Sequence, residues 1–365
     1  MRLPRSLTRA IKSHPLLWTG AALTGGTALA ALVANHILCA PRYRGPKTDH
    51  FDGHRFRNLE PPRRKGFIDF LRWQLNSKPG RWNKWTDSQP GEPPPARVSD
   101  GRLRVASINH ATVLIQMDGL NILTDPIWSE RASPVSWAGP RRHRAAGLRF
   151  EDLPPIDLVL ISHNHYDHLD VQTLKRLNAR HRPHFIVGLG NQALLDSEGI
   201  DGSVELDWWQ DVEFGDGLKV NCVPSKHFSG RGLSDADATL WCGYVIEGPS
   251  GRVYFAADTA PGSHFHEIKE RFGPLRLALL PIGAYLPRWF MQPVHLSPEE
   301  SVEAHKILEA GVSLAIHFGT FALGDDGEFE PVAKLREALI KEEQHAPRFW
   351  VLETGEGRDV PGAER

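Results

Sequence analysis

Three histidines and an aspartate fall within six residues at His163-Asn164-His165-Tyr166-Asp167-His168. His163 and His165, two positions apart, can converge on one cation, while Asp167 and His168 can turn toward a second a few ångströms away. Imidazole together with carboxylate is the donor mixture that suits zinc. Each ion then needs ligands from elsewhere in the chain. His227, Asp258 and His317 are placed to supply them, because each follows a short apolar run that ends where a ligand can be presented. Any one of these histidines alone would be an ordinary loop residue satisfied by hydrogen bonds, but the cluster points to metal-assisted hydrolysis.

The elements that position this cluster can be read from the apolar pattern. Ile156 to Ser162 is a continuous apolar run of the kind found in a strand covered on both faces, and it leads directly into His163. Asp170 to Asn178 reads as a helix. Strands through Lys219 to Val223, Arg252 to Ala257 and Val312 to Ile316 end at His227, Asp258 and His317. Arg104 to Thr124 reads as two strands of a hairpin, with Asp118-Gly119 at the turn. Ser297-Pro298-Glu299-Glu300 has the form of a capping box with proline at the first helical position, and Gly311 stands where the C-terminal cap of that helix is expected. Strands alternating with helices, interspersed with hairpins, imply an α/β sandwich of two mixed sheets covered by helices.

The 365 residues, 41% hydrophobic, are enough for a substantial core, and 43 basic residues nearly cancel 44 acidic ones. That balance removes any whole-chain electrostatic case for binding nucleic acid. Cys39, Cys222 and Cys242 form no framework of disulfides. Four domains of organisation follow. Residues 1–40 carry a basic start and a charge-free run from Leu16 to Ala34, which reads as an uncleaved membrane helix. Residues 41–101 are a proline-, arginine- and tryptophan-rich extension and linker. Within it Phe67 to Leu75 is amphipathic, and Phe67, Phe70, Leu71 and Trp73 are expected to pack on the catalytic domain, with a membrane surface as the other reading. Residues 102–345 form the catalytic domain, and 346–365 a C-terminal strand and tail. The expected location is a membrane, held by the N-terminal helix, with the side left open by basic residues on both flanks. Arg141, Arg142, Arg144 and Arg149 form a basic loop that can meet anionic headgroups or simply be solvated.

The H-x-H-x-D-H motif resembles that of the metallo-beta-lactamase superfamily. The surrounding segments resemble its N-acyl-phosphatidylethanolamine-hydrolysing phospholipase D branch. Asn109-His110-Ala111-Thr112, Thr124-Asp125-Pro126-Ile127, Glu205-Leu206-Asp207-Trp208-Trp209, Pro281-Ile282-Gly283-Ala284-Tyr285 and His317-Phe318-Gly319-Thr320 all carry the likeness, which covers roughly residues 102–340. The resemblance implies a four-layer αβ/βα sandwich behind the membrane-anchor helix. It also implies two Zn2+ per chain, one held by His163, His165 and His227, the other by Asp167, His168 and His317, with Asp258 bridging. It makes a homodimer an expectation. Two departures are visible: Ala257-Asp258-Thr259 replaces Gly-Asp-Thr, and Phe228-Ser229 replaces Trp-Cys after the third histidine.

The implied reaction is hydrolysis of N-acyl-phosphatidylethanolamine by metal-activated hydroxide, giving an N-acylethanolamine and phosphatidic acid, with a phospholipid and a membrane as partners. Asp167, Asp258 and His295 are the expected catalytic residues, the last near the substrate phosphate. Asp125 is expected to orient a ligand histidine, His110 to support the site or make a turn, and Tyr285 and Arg288 to line the cleft. The alternative is another hydrolase on this scaffold, acting on a different phosphodiester, a phosphorylated lactone or an ester. A tethered zinc-binding protein without turnover is disfavoured by the full set of seven ligands.

Overall fold

The computed structural model describes residues 35, 38–60, 65–215, 217–342 and 348–362. Two seven-stranded sheets face each other. One has the order β14-β1-β2-β3-β4-β5-β6 and the other β13-β12-β11-β10-β9-β8-β7. In the first, β1 (Leu103–Asn109), β2 (Thr112–Met117) and β3 (Leu120–Thr124) are antiparallel, as is β14 (Gly357–Val360) beside β1. From β3 through β4 (Leu158–Ile161) and β5 (His184–Gly188) to β6 (Val204–Leu206) the pairing is parallel. The second sheet repeats this plan. Its β7 (Asp211–Phe214), β8 (Leu218–Val223), β9 (Gly243–Gly248) and β10 (Gly251–Phe255) are antiparallel, and β10, β11 (Leu277–Pro281), β12 (Ser313–Ile316) and β13 (Phe349–Trp350) are parallel.

Strands β4, β11 and β12 are buried at every position, which is why they read as unbroken apolar runs rather than alternating ones. Ile115, Leu158 and Ile186 of the first sheet meet Tyr244, Phe255 and Leu314 of the second in one cluster, each such side chain contributing roughly 1.5–3 kcal/mol by leaving water. Helices α2 (Val171–His181) and α3 (Gln192–Ser197) cover the outer face of the first sheet through Leu174, Leu177 and Leu195. Helices α4 (His264–Phe272), α6 (Pro298–Leu308) and α7 (Glu330–Lys341) cover the second through Phe265, Val302 and Leu335. These are the expected layers. The short α5 spans Arg288–Met291.

The capping box is present: Ser297 accepts from the Glu300 N–H at 3.3 Å and Glu300 accepts from the Ser297 N–H at 2.8 Å. The C-terminal expectation is corrected. The helix closes on Glu309 at φ 49°, and Gly311 instead donates its N–H to the Leu275 carbonyl. Asp118 and Gly119, at φ 50° and 78°, make the two-residue turn between β2 and β3. A strand not separated by sequence, β1, is joined to β2 by an equally tight turn at His110-Ala111.

The expected N-terminal membrane anchor is withdrawn. Among the described residues no helix is long and apolar enough to cross a membrane, and Leu16 to Ala34 lies outside them. The extension is partly core, with Phe51 and Phe56 buried in the same cluster as Trp208 and Trp241. The amphipathic stretch forms α1 (Phe67–Asn76), and the expected packing on the catalytic domain is partial: Trp73 stacks on Phe290 and donates its Nε1–H to Asp325. None of its residues is buried, and Phe67, Ile68 and Leu75 are 73%, 81% and 84% exposed. The basic loop is committed internally in part, at Arg142 and Arg144, while Arg141 and Arg149 stay exposed in surface pairs. Arg142 is buried, donating to the Ile127 and Ser129 carbonyls, Arg144 pairs with Glu328, and Arg149 pairs with Asp152.

Candidate metal centre

The loops at the C-terminal ends of β4, β8, β10 and β12 bring His163, His165, Asp167, His168, His227, Asp258 and His317 into one buried space. His165 Nδ1 lies 2.8 Å from His163 Nε2 and 3.3 Å from His227 Nε2. Asp258 faces both halves: its Oδ1 is 3.1 Å from His317 Nε2, and its Oδ2 is 3.3 Å from His168 Nε2 and 3.6 Å from His227 Nε2. Asp167 Oδ2 is 3.2 Å from His168 Nε2 and 3.5 Å from His317 Nε2. Tetrahedral coordination with bonds of about 2.0–2.1 Å puts ligand atoms about 3.3 Å apart, so both groups fit a small cation.

The remaining ring nitrogens are occupied in a way that leaves the inward ones free. His163 Nδ1 bonds Ser162 Oγ at 2.8 Å, His168 Nδ1 bonds Asp125 Oδ2 at 2.7 Å, and His227 Nδ1 bonds the Val294 carbonyl at 2.9 Å. His168 Nε2, His317 Nε2 and Asp258 Oδ1 are buried without a hydrogen-bond partner. For His168 an orphaned inward nitrogen with a satisfied outward one is what a metal shell requires, whereas both ring nitrogens of His317 lack a partner.

Charge points the same way. Burial, with the neighbouring His168 and His165, holds His163 well below its ordinary range, and burial with His227 takes His165 down to about 3. Burial also acts against His168 and His317, but Asp258 and Asp167 outweigh it, lifting the first well above its usual range and the second to about 9. Asp167 and Asp258 stay ionised despite burial because these rings face them. Protons on His168 and His317 therefore stand where a divalent cation would balance the carboxylates, since ligation needs neutral imidazole.

Backbone in the left-handed region concentrates here: His110 at φ 46°, Asp125 at 33°, Ala257 at 52°, Ala284 at 56° and His317 at 62°. Such strain persists where surrounding structure over-determines it. At Ala257 it explains why the related pattern has glycine, since alanine there costs about 1–2 kcal/mol of Cβ crowding.

The other expected residues separate into two sets. His295 is buried, its Nδ1 has no hydrogen-bond partner and lies 3.9 Å from Asp258 Oδ2. His110 both makes the β1–β2 turn and reaches Asp167 Oδ2 through Nε2 at 3.0 Å, while its carbonyl accepts from the His317 N–H. Arg288, by contrast, is spent in a two-point pair with Glu300 at 2.7 and 2.6 Å, and Tyr285 is buried in the loop after β11. Neither lines the cavity beside the metal ligands.

That cavity, of about 990 Å3, runs from His227 and His295 to an apolar wall that includes Phe70, Trp73, Phe290, Met291 and Leu323. Sequence alone gave no sign that α1 would join it, because nothing in a local pattern reports which distant surface a helix approaches. A second cleft, about 730 Å3, lies by the opposite ends of the strands near Arg252 and Arg276, remote from these ligands.

A family model described as a beta-lactamase superfamily domain matches residues 120–318. The chain is 40% identical over 270 residues to N-acyl-phosphatidylethanolamine-hydrolyzing phospholipase D 1 of Caenorhabditis elegans, covering 71% of this chain and 76% of that one. It is 37% identical over 224 residues to the mitochondrial N-acyl-phosphatidylethanolamine-hydrolyzing phospholipase D of Saccharomyces cerevisiae, covering 60% of this chain and 48% of that protein. A solved metallo hydrolase from the archaeon Ignicoccus hospitalis shares the fold at TM-score 0.52 and 22% identity, covering 71% of this chain and 99% of the other.

Proposed function

The chain belongs to the metallo-beta-lactamase superfamily and, within it, to the N-acyl-phosphatidylethanolamine-hydrolysing phospholipase D family, and from that premise we propose that it hydrolyses N-acyl-phosphatidylethanolamine to an N-acylethanolamine and phosphatidic acid. It is a metal-dependent hydrolase of phosphodiesters. The observation that carries the choice of a lipid is the large apolar cavity opening directly onto His227 and His295. A soluble sugar phosphate would call for a narrow, polar pocket instead.

We assign His163, His165 and His227 to one zinc ion, Asp167, His168 and His317 to a second, and Asp258 to both. The convergence of His163, His165 and His227 on one another, the unpartnered Nε2 atoms of His168 and His317, and the two-sided placement of Asp258 support this assignment. When bound, such a metal pair lowers the pKa of a water and neutralises charge on phosphoryl oxygens.

The protein's own groups do the rest. Asp125, Ser162 and the Val294 carbonyl fix ring orientation, so the nitrogens face inward before substrate arrives. His110 holds the Asp167 carboxylate from behind. His295, lining the cavity with a free Nδ1, is placed to hydrogen-bond a phosphoryl oxygen and to hold that group in line. Burial and the nearby His227 and His317 rings keep His295 well below its ordinary range, although Asp258 opposes them, so near neutral pH it acts as a neutral hydrogen-bonding group.

Mass spectrometry of products from zinc-loaded protein and N-acyl-phosphatidylethanolamine in detergent micelles tests the reading, with Asp258→Asn in parallel. Release of N-acylethanolamine and phosphatidic acid by the parent alone is expected. An intact lipid alongside cleavage of a generic phosphodiester would overturn the substrate assignment and leave the hydrolase standing.

A further inference from the structure

Helix α1 forms part of the cavity wall, yet no core holds it there. Ten residues are too few for a stable isolated helix, and none of these is buried. Its place therefore depends on a small number of contacts. Trp73 stacks on Phe290 of α5 with ring centroids 4.9 Å apart, and Lys65 and Arg72 each lie 5.4 Å from the Trp289 ring. A further hold, among the described residues, comes from one carboxylate. Asp325 Oδ1 accepts from Trp73 Nε1 at 2.9 Å and from Ser77 Oγ at 2.6 Å, and its Oδ2 accepts from the Lys78 N–H at 3.1 Å.

Asp325 sits in a strap that begins eight positions after His317. The neighbouring Asp326 accepts from the Ala284 N–H at 3.0 Å, and Glu328 accepts from the Asn83 N–H and from Thr86 Oγ1. The Gly80 N–H donates to the Asp325 carbonyl at 2.7 Å, and a Cβ on Gly80 would come within 2.4 Å of the Gly327 nitrogen. The strap thus clamps residues 73–86 on one side and the loop after β11 on the other.

We propose that Asp325 is a positioning residue for substrate specificity: by fastening Trp73, Ser77 and Lys78 it sets α1 as the apolar wall that selects phosphodiesters carrying long acyl or alkyl chains. Asp325 touches neither the metal ligands nor the cavity beside them, so it acts through α1 alone. The inference rests on the phosphodiesterase reading above and deepens it. A wall of Phe67, Phe70 and Trp73 gives each added methylene of an alkyl or acyl chain a surface to cover, which a methyl ester lacks the length to use.

The test is a series of p-nitrophenyl alkyl phosphates from methyl to dodecyl, assayed with the zinc-loaded full chain and with Asp325→Ala, Asp325→Asn and Ser77→Ala. For the parent, KM should fall by about tenfold or more along the series, given what each buried methylene contributes. Asp325→Ala should flatten that dependence to within about twofold while kcat on the methyl ester stays within about twofold. Asp325→Asn and Ser77→Ala should flatten it partly, which keeps the test sharp if the alanine variant folds poorly. Hydrogen exchange over residues 67–78 reads the fastening without turnover and should speed up in all three. A chain-length profile that is flat in the parent or unchanged in the variants, or exchange unaltered by Asp325→Ala, would overturn the proposal. If the parent shows the alkyl dependence but leaves N-acyl-phosphatidylethanolamine intact, the lipid assignment falls and the wall stands.

Discussion

Asp125 shows how much of the centre is built by residues that touch no substrate. It is fully buried, accepts from the Ser162 N–H at 2.8 Å and Ser162 Oγ at 2.6 Å, and gives its other contact to His168 Nδ1. Burial raises its pKa while His168 and Ser162 oppose that rise. Asp125→Asn keeps the shape but removes the charge that makes His168 a good donor. Metal affinity is expected to fall about 10–100-fold, read by competition with a chromophoric chelator; unchanged affinity would reduce Asp125 to a packing residue. Its contact with a histidine was legible in advance because it follows a strand, as was the clustering of the seven proposed ligands. Arg288 and Tyr285 were not legible, because an arginine in a loop reads the same whether it faces a substrate or, as here, a glutamate twelve residues on.

At the scale of elements, α6 is the clearest case of local pattern and outcome agreeing, because its start is fixed by chemistry within four residues. Ser297→Ala removes one half of the reciprocal cap and is expected to cost about 1 kcal/mol, measured as a shift of the urea midpoint; no shift would mean that Glu300, through Arg288, holds the helix start by itself. The same helix carries an acid sensor. His305 is buried, bonded to Ser313 Oγ at 2.7 Å, and burial lowers its pKa from 6.5 to about 4. The unfolded chain takes up that proton near 6.5 and the folded chain only near 4. Its contribution is therefore complete above 6.5 and is lost as pH falls through that window, by at most about 1.4 kcal/mol per pH unit. Urea unfolding of the metal-free protein at pH 7 and 4.5 should show a smaller loss in His305→Gln than in the parent. Equal losses would place the sensitivity in other residues. By contrast, α1 was legible as a helix but not as an unburied one, since amphipathicity reports an apolar face and not what covers it.

Across the whole molecule, the two sheets each repeat an antiparallel meander followed by parallel strands, and the proposed metal shell draws on both. His163, His165, Asp167 and His168 follow β4 of the first sheet, while His227, Asp258 and His317 follow β8, β10 and β12 of the second. The apolar runs and ligand-bearing strand ends could be read one by one, but the way they close on each other depends on pairings far apart in sequence, such as β1 with β14. A cation held by both sets clasps the sheets at one end, beyond the reach of the core between them. Binding only the folded state at a thousand times Kd adds about 4.1 kcal/mol per site. With an unfolding entropy of about 2.1 cal/mol/K per residue over 365 residues, one such site corresponds to about 5 °C in Tm. Stripping the metal with a chelator should lower Tm by at least that much, and zinc should restore it. Hydrogen exchange should then rise together in the loops after β4, β10 and β12. A rise confined to the loop after β4 would mean that the metals belong to one sheet's loop alone, and an unchanged Tm after proven metal loss would remove the clasp.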